Sequence, residues 1–123
     1  MADDDDADHP RCVDVLLARR AELIIPALVV AEATYLVATR LGPAAEVRFL
    51  RGLESFDVEA PLPDEWARIA DLVERYASFP LGGTDASVVA IAERYKTPVV
   101  ITLDRRHFGA VRPRHCRAFH IVP

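Results

Sequence analysis

The chain carries one lysine (Lys96), one methionine, one tryptophan and two cysteines among its 123 residues. Cys12 and Cys116 form no CxxC pair and stand far apart, which argues against a disulfide framework and reads as reduced cytosolic thiols. A long hydrophobic run is also lacking. The most apolar stretch, 23–38, is broken by Pro26 and Glu32 and falls short of the roughly 20 residues of a membrane span. Met1 to Asp8 is acidic where a signal peptide would be basic and then apolar. These absences point to a cytoplasmic protein with no membrane partner. Positive charge is not in excess either: the formal net charge is -4 and the pI about 5.5. That argues against a surface that grips nucleic acid everywhere, but leaves room for a local basic patch. No internal repeat is visible.

What is present fits one globular domain over residues 1–123, with 51% apolar and 28% charged residues. The Asp3–Asp6 run, within the acidic stretch 1–8, reads as solvated and flexible. A helix is expected from Asp8-His9-Pro10, then a short buried strand at Leu23-Ile24-Ile25. A second helix runs from Ala27 to about Arg40 and is stopped by Gly42-Pro43; a third starts at Pro43. Phe56 to Ala60 alternates as a strand does. Pro63 opens an amphipathic helix with Trp66, Ile69, Leu72, Val73 and Tyr76 on its apolar side. Thr84 is expected to cap the next helix, which ends near Lys96. Pro98 to Leu103 is a β-branched run typical of a buried parallel strand. A short helical turn to Ala110 and a strand from Ala118 to Val122 complete the chain. Helices alternating with short strands predict an α/β fold with a parallel sheet.

Three acids stand at informative places. Glu32 has Val29 three residues before it and Leu36 four after, which predicts a position inside an apolar stripe. A carboxylate there needs a cation, either an arginine from elsewhere or a metal. Asp85 shares a side of its helix with Val88, Val89 and Ala92; a first-turn acid favoured by the helix dipole is the simpler explanation. Asp104 follows the C-terminal end of a strand, where open α/β sheets place their binding crevices, and it is equally suited to capping the next helix. If the three converge, they form an oxygen-rich cage suited to Mg²⁺ or Mn²⁺.

Val29-Val30-Ala31-Glu32, Leu81-Gly82-Gly83-Thr84-Asp85-Ala86 and Ile101-Thr102-Leu103-Asp104-Arg105-Arg106-His107-Phe108 resemble three successive acidic motifs of PIN domains, above all those of VapC toxins. The resemblance extends to Asp8-His9-Pro10, to Tyr35-Leu36-Val37-Ala38-Thr39-Arg40 and to the closing Phe119-His120-Ile121-Val122-Pro123. It implies a three-layer α/β/α fold around a short, mostly parallel sheet. It also implies a metal-dependent endoribonuclease, with Glu32, Asp85 and Asp104 as catalytic metal ligands for Mg²⁺ or Mn²⁺ and Thr102 as support. The implied partners are a tRNA or ribosomal RNA substrate, a VapB-type antitoxin and a second copy in a homodimer.

One part of the family pattern is unmatched. Members begin with a buried strand ending in a ligand Asp, placed between the strands matched here by Leu23–Ile25 and Val99–Leu103. Nothing apolar precedes Asp3–Asp6. A late start codon, a true truncation yielding an inactive protein, or replacement of the ligand by one of Asp3–Asp6 would each account for this. Without that strand its two neighbours are expected to leave backbone groups unpaired and apolar surface open.

Arg105, Arg106, His107, Arg112, Arg114, His115 and Arg117 crowd a C-terminal stretch that contains no acid. Beside Asp104 this suits RNA phosphates, with Arg105, Arg106 and Arg112 as the candidates; solvated surface arginine is the simpler alternative. His9-x-x-Cys12 with His115, Cys116 and His120 makes only half of a zinc pattern. A receiver-type phosphoacceptor fits poorly, because Pro61 follows the strand at Phe56–Ala60 and Lys96 precedes a strand instead of following one. A catalytically dead PIN-like module that acts only by binding is the remaining alternative.

Overall fold

A computed structural model describes residues 23–102 and 104–122. The acidic run, the expected helix after Asp8, and the zinc candidates His9 and Cys12 lie outside the described residues. Strand β1 (Ile24–Pro26) leads directly into helix α1 (Ala27–Leu41). Gly42 ends that helix at φ 86°, a left-handed value that favours glycine, and Pro43 opens helix α2 (Pro43–Gly52) at once. A 3₁₀ turn (Leu53–Ser55) feeds strand β2 (Asp57–Glu59). Helix α3 (Glu65–Arg75) and helix α4 (Gly83–Tyr95) follow, then strand β3 (Val99–Ile101), helix α5 (Arg105–Ala110) and strand β4 (His120–Val122).

The α/β architecture with parallel pairing is as the sequence predicts. The pairing falls into two two-stranded parallel sheets: β1 with β2, where Ile25 opposes Val58, and β3 with β4, where Val100 opposes Ile121. Among the described residues no ladder joins β1 to β3. A groove of about 1460 Å³ lies there instead, lined by Ile24 and Ile25 on one side and Val99, Val100 and Ile101 on the other.

The core centres on α4. Ala86, Val89, Ala90 and Ala92 are buried against Ile69 and Leu72 of α3, Val100 of β3, and Leu81, Phe108, Val111 and Phe119. Small residues on α4 let α3 pack closely, and Ser87, fully buried, satisfies its hydroxyl by donating to Thr84 O at 2.6 Å. Glu93 of α4 accepts a two-pronged bond from Arg68 of α3 at 2.9 and 2.7 Å, and the Arg114 amide at 2.9 Å. Arg94 reaches Glu59 and Glu65, and so ties α4 to β2 and α3.

Three local expectations are corrected. Helix α4 begins at Gly83 with Gly82 before it and no side-chain cap, so Thr84 lies inside the first turn. Trp66 is 49% exposed, so the apolar side of α3 is narrower than its sequence pattern. Glu32 is exposed, and Val37 is the buried residue of α1. The reason is compositional: α1 is apolar nearly all round before Arg40, so spacing alone could not choose which side faces inward. No helix among the described residues is long and apolar enough to cross a membrane.

Candidate metal centre

Leu81, 2% exposed, anchors the loop before α4 and sets Asp85 in that helix's first turn. Phe108, 3% exposed, anchors α5 in the same core and so fixes Asp104, the residue that caps it. Two buried apolar side chains thus hold two acids opposite one another. Ligand atoms of Asp85, Asp104 and His107 lie within 4.8 Å of one another, and each of the three residues is half-buried.

Asp104 is the most firmly held. Its Oδ1 accepts the His107 amide at 2.9 Å, which is the helix-capping bond foreseen for it. Its Oδ2 lies 2.8 Å from His107 Nδ1, and its own amide donates to Thr102 Oγ1 at 3.0 Å. The Thr102 hydroxyl thus holds the backbone at Asp104. Burial acts to raise the Asp104 carboxyl, but the bonds from the His107 amide and ring, with the positive charges of His107 and Arg106, hold it below the usual aspartate range. Asp85 is pushed the other way. Burial raises its carboxyl first, and the charges of Asp104 and Glu32 add to this, while His107 opposes them. A half-buried carboxyl raised by burial and by acidic neighbours, as Asp85 is, favours the arrival of a cation.

Glu32 reaches this site through its charge on Asp85 but does not join the close group. Its expected burial in an apolar stripe is thus replaced by an exposed position on α1 within electrostatic range. The sequence placed His107 only in a basic stretch; the structure places it against the acids. The signal was the Asp104-x-x-His107 spacing at a helix start, which brings the third residue's amide and ring back to the first side chain. Phe79 was not anticipated. Its ring meets the His107 ring edge-on at 5.5 Å and carries the Arg106 guanidinium 5.5 Å from its centroid, while its carbonyl lies 3.2 Å from His107 Nε2.

Arg105 and Arg106 are exposed on α5 immediately after Asp104. Arg112 is also exposed, with its amide bonded to Tyr76 Oη at 3.0 Å. His115 is half-buried with Nε2 2.7 Å from Thr97 O, a structural engagement, and its buried Nδ1 has no partner among the described residues.

Comparison with known proteins agrees with this geometry. The PIN domain profile matches residues 2–112. The chain is 37% identical over 124 aligned positions to Ribonuclease VapC26 of Mycobacterium tuberculosis (strain ATCC 25618 / H37Rv), an alignment that covers 99% of this chain and 90% of that protein. Profile and relative together bear out the resemblance carried by the three acidic motifs, and the chain belongs to the PIN-domain family, in its VapC type.

Proposed function

We propose that this protein is a divalent-metal-dependent endoribonuclease, the toxin member of a VapBC toxin–antitoxin pair. The observation that carries the reading is the pairing of Asp85 and Asp104 at two fixed backbone positions, with Asp85 raised by burial and by its acidic neighbours. The donor set fits Mg²⁺ or Mn²⁺: two half-buried carboxylates with oxygens free to face a common point, and Glu32 near enough to add charge. A bound divalent ion would activate a water and offset charge on the scissile phosphate and leaving oxygen. Asp85 and Asp104 hold that ion, and Glu32 adds charge from α1. Arg105, Arg106 and Arg112 engage the flanking phosphates of the RNA, whether tRNA or ribosomal RNA.

Similarity to a VapC ribonuclease and the apolar surface support a reading of the partners. A VapB-type antitoxin would lay an apolar segment along the groove and block the acids. A homodimer would cover exposed Tyr35, Leu36 and Leu41 of α1 with Val47 and Leu50 of α2. Residues 1–123 act as one PIN domain in the cytoplasm on this reading. A second reading is a PIN module that binds without cleaving. It is favoured by Glu32 standing outside the close group, which among the described residues holds two carboxylates.

Cleavage of tRNA and ribosomal RNA with Mg²⁺, Mn²⁺ or EDTA, by wild type and Asp85→Asn, separates the two. Metal-dependent cleavage that falls by about 10²-fold or more in Asp85→Asn is expected. The melting temperature of that variant is expected to hold or rise, because the fold disfavours the charged form of Asp85. Absence of cleavage by wild type with either metal, or equal cleavage by the variant, would favour the binding module.

A further inference from the structure

The His107 side chain touches both Asp104 and the loop that leads to Asp85. Its amide and Nδ1 address the two oxygens of Asp104, so a single residue fixes both the position and the rotation of that carboxylate. Its Nε2 faces the Phe79 carbonyl at 3.2 Å, and the two rings meet edge-on. Phe79 belongs to the loop that runs through Leu81 into Asp85. The imidazole therefore bridges the segment carrying Asp104 to the segment carrying Asp85. The Arg106 guanidinium, over the Phe79 ring at 5.5 Å from its centroid, adds a second contact from the same helix.

We infer that His107 is a positioning residue: it orients Asp104 relative to Asp85 for a divalent cation without ligating the cation itself. Three features carry this. Both ring nitrogens already face oxygen atoms, one of Asp104 and one of Phe79, so neither is directed at an empty position. Each oxygen of Asp104 spends one of its two lone pairs on His107 and keeps another for a cation. A carboxylate with freedom to rotate would lose that freedom on binding metal, and the imidazole removes it beforehand. The inference rests on the proposed metal-dependent reading of the same site.

The test uses the full chain and Mn²⁺ alone, with no RNA. Manganese binding is followed by electron paramagnetic resonance in wild type, Asp85→Asn, His107→Ala and His107→Gln, with the melting temperature of each metal-free protein. His107→Ala is expected to weaken Mn²⁺ binding by roughly 10- to 100-fold. His107→Gln can restore one of the two bridging bonds and is expected to fall between Ala and wild type. It also carries the test if the alanine variant does not fold. Cleavage by both variants is expected to recover at saturating Mn²⁺, which a lost proton donor would not allow. Electron spin echo modulation of the wild-type complex is expected to show no directly coordinated imidazole nitrogen.

Mn²⁺ affinity in His107→Ala within twofold of wild type would overturn the positioning role while leaving the metal site intact. A directly bound imidazole nitrogen would overturn it in favour of ligation. Equal Mn²⁺ binding by wild type and Asp85→Asn would instead sink the metal site, and the inference with it.

Discussion

Asp85 and Asp104 are both half-buried aspartates, yet their surroundings drive them in opposite directions. Asp104 is bonded at both oxygens by His107 and stays readily ionised; Asp85 has neighbours of its own sign and is raised. The arginines next to Asp104 belong to the same local design, because exposed guanidinium groups beside a metal-holding acid meet the phosphates on either side of a cut. Replacing Arg105 and Arg106 together with alanine is expected to raise KM for RNA by roughly tenfold and to flatten the log–log salt dependence by about two units. The melting temperature should move by no more than about 2 °C, as is usual for exposed positions. Unchanged KM and salt dependence in the double variant would remove these residues from the RNA surface. At this scale the sequence was most informative about the two aspartates, whose motifs are distinctive. It was least informative about His107, since a histidine among arginines reads as one more cation until the helix start folds it back on Asp104.

At the scale of elements, α4 carries the fold: it is buried along most of its length and places Asp85 at its start and Glu93 near its end. Burial alone would push the Glu93 carboxyl up, but the Arg68 guanidinium and the Arg114 amide hold it below the usual glutamate range. A depressed folded value means that the pair's contribution is full above the ordinary glutamate range and is lost as pH falls through the depressed value. Glu93→Gln is therefore expected to cost on the order of 2 kcal/mol near neutral pH, with the gap to wild type closing by about pH 3. Denaturant melts of both proteins across that range check it; a gap that stays constant would contradict the pairing. Element order and most helix limits were legible because Gly42-Pro43, the β-branched run before Thr102 and the α3 pattern are strong local signals. The facing of α1 was not. Its apolar residues cover more of the circumference than the core can take, which left Glu32, Tyr35 and Leu36 at the surface.

At the scale of the molecule, that same surplus of apolar surface calls for company. Exposed Tyr35, Leu36, Val47 and Leu50 stand on two helices packed against each other, α1 and α2. Sedimentation velocity is expected to show a dimer for wild type and a monomer for Leu36→Glu, with cleavage per site retained; equal sedimentation of the two would place any dimer contact elsewhere. Among the described residues the two parallel sheets share no ladder, and an apolar groove lies between β1 and β3. Everything functional nevertheless turns on whether Asp85 and Asp104 hold a divalent ion. Anomalous diffraction from crystals grown with Mn²⁺ tests this most directly. A manganese peak about 2.0–2.3 Å from a carboxylate oxygen of both Asp85 and Asp104 is expected. A peak that avoids either aspartate, or none at a manganese concentration that supports cleavage, would contradict it.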